Sequence, residues 1–155
     1  MKKLLLILII TYSTLSYSQS FNGDKVSLTN FIKRMYTATP FEGVKIIDDY
    51  DHQYFISVLS LEKAKYTNDA IMNRVAQVKG QSQANLFFNG STISSNLVIK
   101  TNETKIENKT NTVVETIESI KENSIGFVKS MELLINFDNV DGKRMVFIFY
   151  KEMIE

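Results

Sequence analysis

The sequence predicts an α+β fold: a largely antiparallel sheet of about five strands packed with two to three helices, in the order α-β-β-α-β-α-β-β. Three observations lead there. Apolar residues recur at three- and four-residue spacing in three stretches, the signature of amphipathic helices. Shorter runs rich in β-branched and aromatic residues, bounded by turn-formers, read as strands. Finally, "VKIIDDYD" (residues 44–51) returns as "MELLINFD" (residues 131–138), and each copy passes through a polar turn into an apolar strand. The chain therefore reads as two α-β-β units flanking a central helix and strand.

Taken in order, the first twenty residues, "MKKLLLILIITYSTLSYSQS", have the layout of an export signal. Lys2 and Lys3 form the positive end, Leu4 to Ile10 the apolar stretch, and Ser16-Tyr17-Ser18 a small-x-small cleavage box, which gives residues 1–18 as signal and 19–155 as one α+β domain. The apolar run is far shorter than the about 20 residues a membrane span needs, so no stable membrane anchor is expected after cleavage. Residues 19–26 are polar and expected to fray. From Ser27 to Ala38, Leu28, Phe31, Ile32, Met35 and Tyr36 make one helical face, and Pro40 lies just beyond its end.

Two strands follow, Val44 to Asp48 and Tyr54 to Leu61 ("YFISVLSL"). Both faces of the second are largely apolar, which predicts a strand covered on both sides. Asn68 and Asp69 then cap and open a long helix that closes at Asn89-Gly90. Two neighbouring rows run along it: Ile71, Val75, Val78, Ser82, Leu86, and Met72, Ala76, Gly80, Gln83, Phe87. The small residues Ala76, Gly80 and Ala84 predict close approach to a sheet. "STISSNLVIKTNETK" alternates Ile93, Leu97 and Ile99 with polar residues, as expected of a half-solvated antiparallel strand. A third helix is marked by Val113, Val114, Ile117 and Ile120, with Glu115, Glu118, Lys121 and Glu122 on its solvated face. Met131 to Phe137 and Arg144 to Lys151 complete the sheet.

Composition excludes several function classes. Removing residues 1–18 takes Lys2 and Lys3 from 18 basic residues and none of the 17 acidic ones, leaving a nearly neutral chain. No basic stripe able to follow phosphates is expected, so nucleic acid is not a partner. Without cysteine there is no disulfide, thiolate nucleophile, thiolate metal site or lipid-modified cysteine. Sequons at Asn89, Asn102 and Asn108 would be glycan acceptors in a eukaryotic secretory protein, while in an Asn-, Lys- and Ile-rich bacterial chain chance is the better explanation. Phosphate-binding glycine loops and the Gly-x-Ser-x-Gly elbow are absent.

The one dense cluster of candidate chemistry is Asp48, Asp49, Asp51 and His52, in "DDYDH". Its counterpart in the second unit, "FDNVDGKR", carries Asp138, Asn139, Asp141 and Gly142, standard turn-formers, and no histidine. Aspartates that recur at the bend are what turn chemistry predicts. The order of ligands in a calcium loop is missing, and there is no second histidine to complete another metal site. The cluster is read as a turn, with no catalytic, metal or cofactor residue assigned.

The pattern also resembles the bacterial LPP-twenty lipoprotein-like family of small cell-envelope proteins. The resemblance is carried by Gly43, Val44, Asp48, Tyr50, Tyr54, Ile56 and Val58, and in the second half by Phe137, Asp141, Gly142, Val146 and Ile148, within residues 27–151. It implies a compact α+β envelope domain and no catalytic residues, while the missing cysteine departs from the family's lipid anchor. The expectation is an exported periplasmic or secreted protein, not an enzyme, that binds another envelope protein or itself. An apolar sheet face left bare by helices on one side only motivates that expectation. The alternatives are a small hydrolase or ligand/metal-binding module using Asp48, Asp49, Asp51 and His52, or a secreted inhibitor.

Overall fold

The computed structural model describes residues 23–49, 52–90, 97–100 and 109–153. Among these residues it is an α+β fold with four α-helices and a five-stranded mixed sheet. Helix α1 (Gly23–Ala38) leads into the hairpin β1 (Gly43–Asp49) and β2 (His52–Glu62). Helix α2 (Asp69–Gly90) and strand β3 (Val98–Lys100) follow, then α3 (Lys109–Glu122), α4 (Ser124–Lys129) and the hairpin β4 (Glu132–Asp138) and β5 (Arg144–Met153). The spatial order is β3-β1-β2-β5-β4.

Strand β2 has its apolar residues on both faces because it lies inside the sheet with a helical layer on each side. Its odd positions Phe55, Leu59 and Leu61 join Ile46, Phe147 and Phe149 under α2, α3 and α4. Its even positions Tyr54, Ile56 and Val58 join Ile47, Val146 and Ile148 under Leu28, Ile32 and Tyr36 of α1. This corrects the expectation that helices on one side would leave a bare face: α1 crosses to the opposite side from the other helices and covers it.

The close approach of α2 is built from its small residues. Met72, Ala76, Gly80, Ala84, Phe87 and Phe88 are its buried positions. At Gly80 there is no room for a side chain, since an ideal Cβ would stand 2.6 Å from Cδ2 of Phe149. Ser57 Oγ, fully buried on the facing strand, lies 3.2 Å from the Gly80 carbonyl oxygen and 2.6 Å from the Gln83 side-chain amide oxygen. At the helix start the backbone N–H of Ile71 donates to Asn68 Oδ1 at 2.9 Å, the cap the sequence predicts.

Four features differ from the expectations. Helix α1 begins at Gly23, four residues before the apolar pattern does. Strand β3 is three residues long and parallel to β1, because the chain returns from α2 on the far side of β1; Ile93 lies outside the described residues. A short helix not expected from the sequence, α4, follows the third helix, and Asn123 (φ −129°, ψ 40°) separates α3 from α4. The duplication holds for the hairpins, which meet as antiparallel partners through β2 and β5. It fails for the helices, since the ones preceding the two hairpins dock on opposite faces.

Strand β4 is an edge, and a bulge between Leu133 and Ile135 breaks its register with β5. Leu134 and Ile135 consequently both turn toward α1, and Phe137 follows them to that face. Irregularity of this kind also discourages edge-to-edge pairing.

Candidate functional site

The 48–52 cluster is spread across the sheet end. Asp49 and His52 are cross-strand partners that bracket the β1–β2 connection, while Tyr50 and Asp51 lie outside the described residues. Strand alternation sends Asp48, buried, to the α2 face beside its partner Gln53, and Asp49 to the α1 face. His52 faces the same side as Asp49 and finds a partner a hundred positions away: its Nδ1 lies 2.6 Å from Oε1 of Glu152, both side chains half exposed. The imidazole stacks on Tyr54 with centroids 6.0 Å apart. Among the described residues, no group of three or more His, Asp or Glu side chains converges as an ion site would require. Glu152 is absent from the sequence-based cluster; only the β2–β5 register, in which Tyr54 opposes Glu152, brings it there.

A second polar arrangement, not foreseen from sequence, closes the opposite end of the hairpins. Ser60 Oγ donates to Glu42 Oε1 and accepts from Arg144 Nε at 2.8 Å. The same guanidinium donates through Nη2 to the Ser60 carbonyl oxygen at 2.8 Å and stands 3.5 Å from Glu42. The serine hydroxyl is thus engaged both as donor and as acceptor, an arrangement that fastens the start of β5 to β2 and to the segment entering β1. Tyr36 covers this knot. Burial pushes its phenol above the ordinary range, the Glu42 carboxylate adds to that, and Arg144 opposes it.

Beside Tyr36 a groove of about 620 Å³ runs between the C-terminal end of α1 and the β4–β5 turn. Tyr36, Pro40, Phe137 and Val140 provide its apolar surface, with Lys33 and Asp138 among its polar residues. Tyr36 meets Phe137 edge-on at 5.5 Å, and Lys33 Nζ lies 5.5 Å from the Phe137 centroid. Asp138 is bound to Lys63 at 2.6 Å.

The turn itself is braced from within, as its sequence predicts. Arg144 N–H donates to Asn139 Oδ1 at 3.0 Å, Lys143 N–H donates to Asp141 Oδ1 at 2.8 Å, and Gly142 N–H donates to the Asn139 carbonyl at 2.9 Å. Gly142 takes φ +68°, which a side chain would disfavour. At the tip Val140 is 97% exposed.

The two ends of the hairpins thus differ: one carries the groove beside Tyr36 and the other the surface pair of His52 and Glu152. No helix among the described residues is long and apolar enough to cross a membrane. Comparison with protein-family models, with curated proteins and with solved structures found no match.

Proposed function

We propose that this chain is an exported, non-enzymatic protein of the bacterial cell envelope that acts by binding another protein. The observation carrying this reading is the groove beside Tyr36, walled by the braced turn that holds Val140 in solvent. An aromatic floor and a preorganised wall are what a protein side chain needs for docking at low entropic cost. The leader-like residues 1–18 and the resemblance to the LPP-twenty lipoprotein-like family support the envelope assignment, in a periplasmic or secreted form.

A secreted inhibitor would use the same surface, and the exposed Val140 on its braced turn is the feature that favours it. A hydrolase or metal-binding module is less well supported. Asp48 and Asp49 diverge to opposite faces, and His52 is engaged by Glu152 at the surface.

The test is affinity capture from envelope extract with protein purified from an exporting host, beside Val140→Asp and Phe137→Ala variants of unchanged circular dichroism. The expected result is one reproducible partner retained by the native protein and lost by both variants. Capture of nothing, or equal capture by all three, would refute the groove reading. The identity of the captured protein, envelope component or foreign enzyme, separates the two forms of the proposal.

A further inference from the structure

The groove beside Tyr36 does not end at its α1 wall. Lys33 also lines a second cleft, of about 450 Å³, together with Ser27, Asn30 and Arg34 of the same helix. All four side chains there carry hydrogen-bond donors, and no carboxylate stands among the described residues that line it. Neither Lys33 nor Arg34 forms an ion pair with a described carboxylate. Lys33 Nζ rests over the Phe137 ring at 5.5 Å, which holds its charge at the boundary between the two clefts.

We propose that this basic wall selects the partner: the protein that docks in the groove does so through an acidic segment, with an aromatic or large aliphatic side chain in the groove and an aspartate or glutamate about three residues away, against Lys33 and Arg34. It rests on the groove reading and adds to it the chemistry of the occupant.

The two walls of the groove differ in what charge they leave open. On the turn side Asp138 is bound to Lys63 at 2.6 Å, and Asp141 Oδ1 accepts from Lys143 N–H at 2.8 Å. Those carboxylates are already engaged, and they repel an acid that would lie over the turn. On the α1 side the two cations are uncompensated, so an acidic segment is steered along the helix. Without residues 1–18 the chain holds 16 basic and 17 acidic residues, so this attraction is local and not a consequence of net charge. The spacing follows from helix geometry. Tyr36 in the groove and Asn30 in the cleft are about 9 Å apart along the axis, the reach of about three residues of extended peptide.

The probe is a library of random dodecapeptides displayed on phage, selected on protein purified from an exporting host. Peptides enriched on the native protein should carry Asp or Glu two to four positions from an aromatic or large aliphatic residue. A synthetic copy of one of them should bind Lys33→Gln/Arg34→Gln about fivefold more weakly, as the loss of two exposed ion pairs predicts. Changing its acids to lysine should invert the preference, so that Lys33→Glu/Arg34→Glu binds the lysine form better than the native protein does. Both positions are exposed on α1, and circular dichroism of the variants should match the native protein. The proposal is overturned if no peptide is enriched, if enriched peptides show no excess of acid beside the anchor, or if the charge-reversed protein still prefers the acidic form. Binding to phosphatidylglycerol vesicles that is lost in Lys33→Gln/Arg34→Gln, with no acidic bias among the peptides, would overturn it in favour of a membrane surface. The groove reading fails separately. Envelope capture lost by Val140→Asp and Phe137→Ala but untouched by Lys33→Gln/Arg34→Gln keeps the groove and refutes the acidic segment, whereas acidic peptides that bind Phe137→Ala as well as native protein refute the groove itself.

Discussion

Replacing Gly80 by alanine sets two effects of opposite sign against each other. In a helix interior alanine is favoured over glycine by about 1 kcal/mol, and this alone would stabilise the protein. The new Cβ, however, would stand 2.6, 3.1 and 3.3 Å from three ring carbons of Phe149. Carbon atoms pack best at about 3.5–4.0 Å, so helix and ring must separate by about 1 Å. Phe149 is buried in the centre of the sheet and is a rigid ring, which makes the retreat expensive. Overpacking of this kind costs about 1–3 kcal/mol. Separation also stretches the hydrogen bond that the single Ser57 hydroxyl proton donates toward the Gly80 and Gln83 oxygens, worth about 0.5–1.5 kcal/mol. The sum favours destabilisation by about 1–3 kcal/mol, a fall in Tm of roughly 3–10 °C for a domain of this size. Urea and thermal unfolding followed by circular dichroism would measure it, with Ser82→Ala on the exposed side of the same helix as control. That control should gain a few tenths of a kcal/mol. Adding Phe149→Leu to Gly80→Ala should recover part of the loss, since the two sites share one contact. Equal or greater stability of Gly80→Ala would refute the close-packing argument.

Three further outcomes are expected. Asn68→Ala removes the cap on Ile71 N–H and should cost about 1 kcal/mol in urea unfolding, with Asn68→Asp close to native. His52→Ala, which loses the half-exposed contact with Glu152 and the stacking on Tyr54, should change stability by about 1 kcal/mol or less, and metal titration should leave native and variant melting temperatures alike. A metal-dependent rise in the native protein that the variant lacks would contradict the surface-pair reading. The raised ionisation of Tyr36 has a definite sign: its contribution to stability is complete below the unfolded value near 10 and is lost as pH rises through the higher folded value. Stability of the native protein should therefore fall more steeply above pH 10 than that of Tyr36→Phe. Equal slopes in alkaline urea titrations would show that the Tyr36 phenol is not held back by burial and Glu42.

How far the sequence reaches is clearest element by element. Periodicity determined the type of each main element and most of its span, because a period of two or near 3.6 is a property of the local chain. Asn68 as cap, Asn89-Gly90 as the end of α2 and "FDNVDGKR" as a braced turn are equally local, each being a matter of hydrogen bonds within a few residues. The small residues Ala76, Gly80 and Ala84 even announced the close approach of α2.

What the tertiary structure alone decided are choices between locally equivalent arrangements. Amphipathic α1 would bury its stripe against either face of the sheet; its docking opposite the other helices is what leaves no bare face. His52 meets Glu152 because β2 pairs with β5 in one register, and a contact across a hundred residues leaves no trace in local spacing. Strict alternation would put Phe137 with Leu133, yet a one-residue bulge carries it to Tyr36 and so creates the groove. Side-chain pattern fixes what each segment is able to form; register, face and bulge depend on which partner surface it meets, and those are fixed only when the whole chain packs.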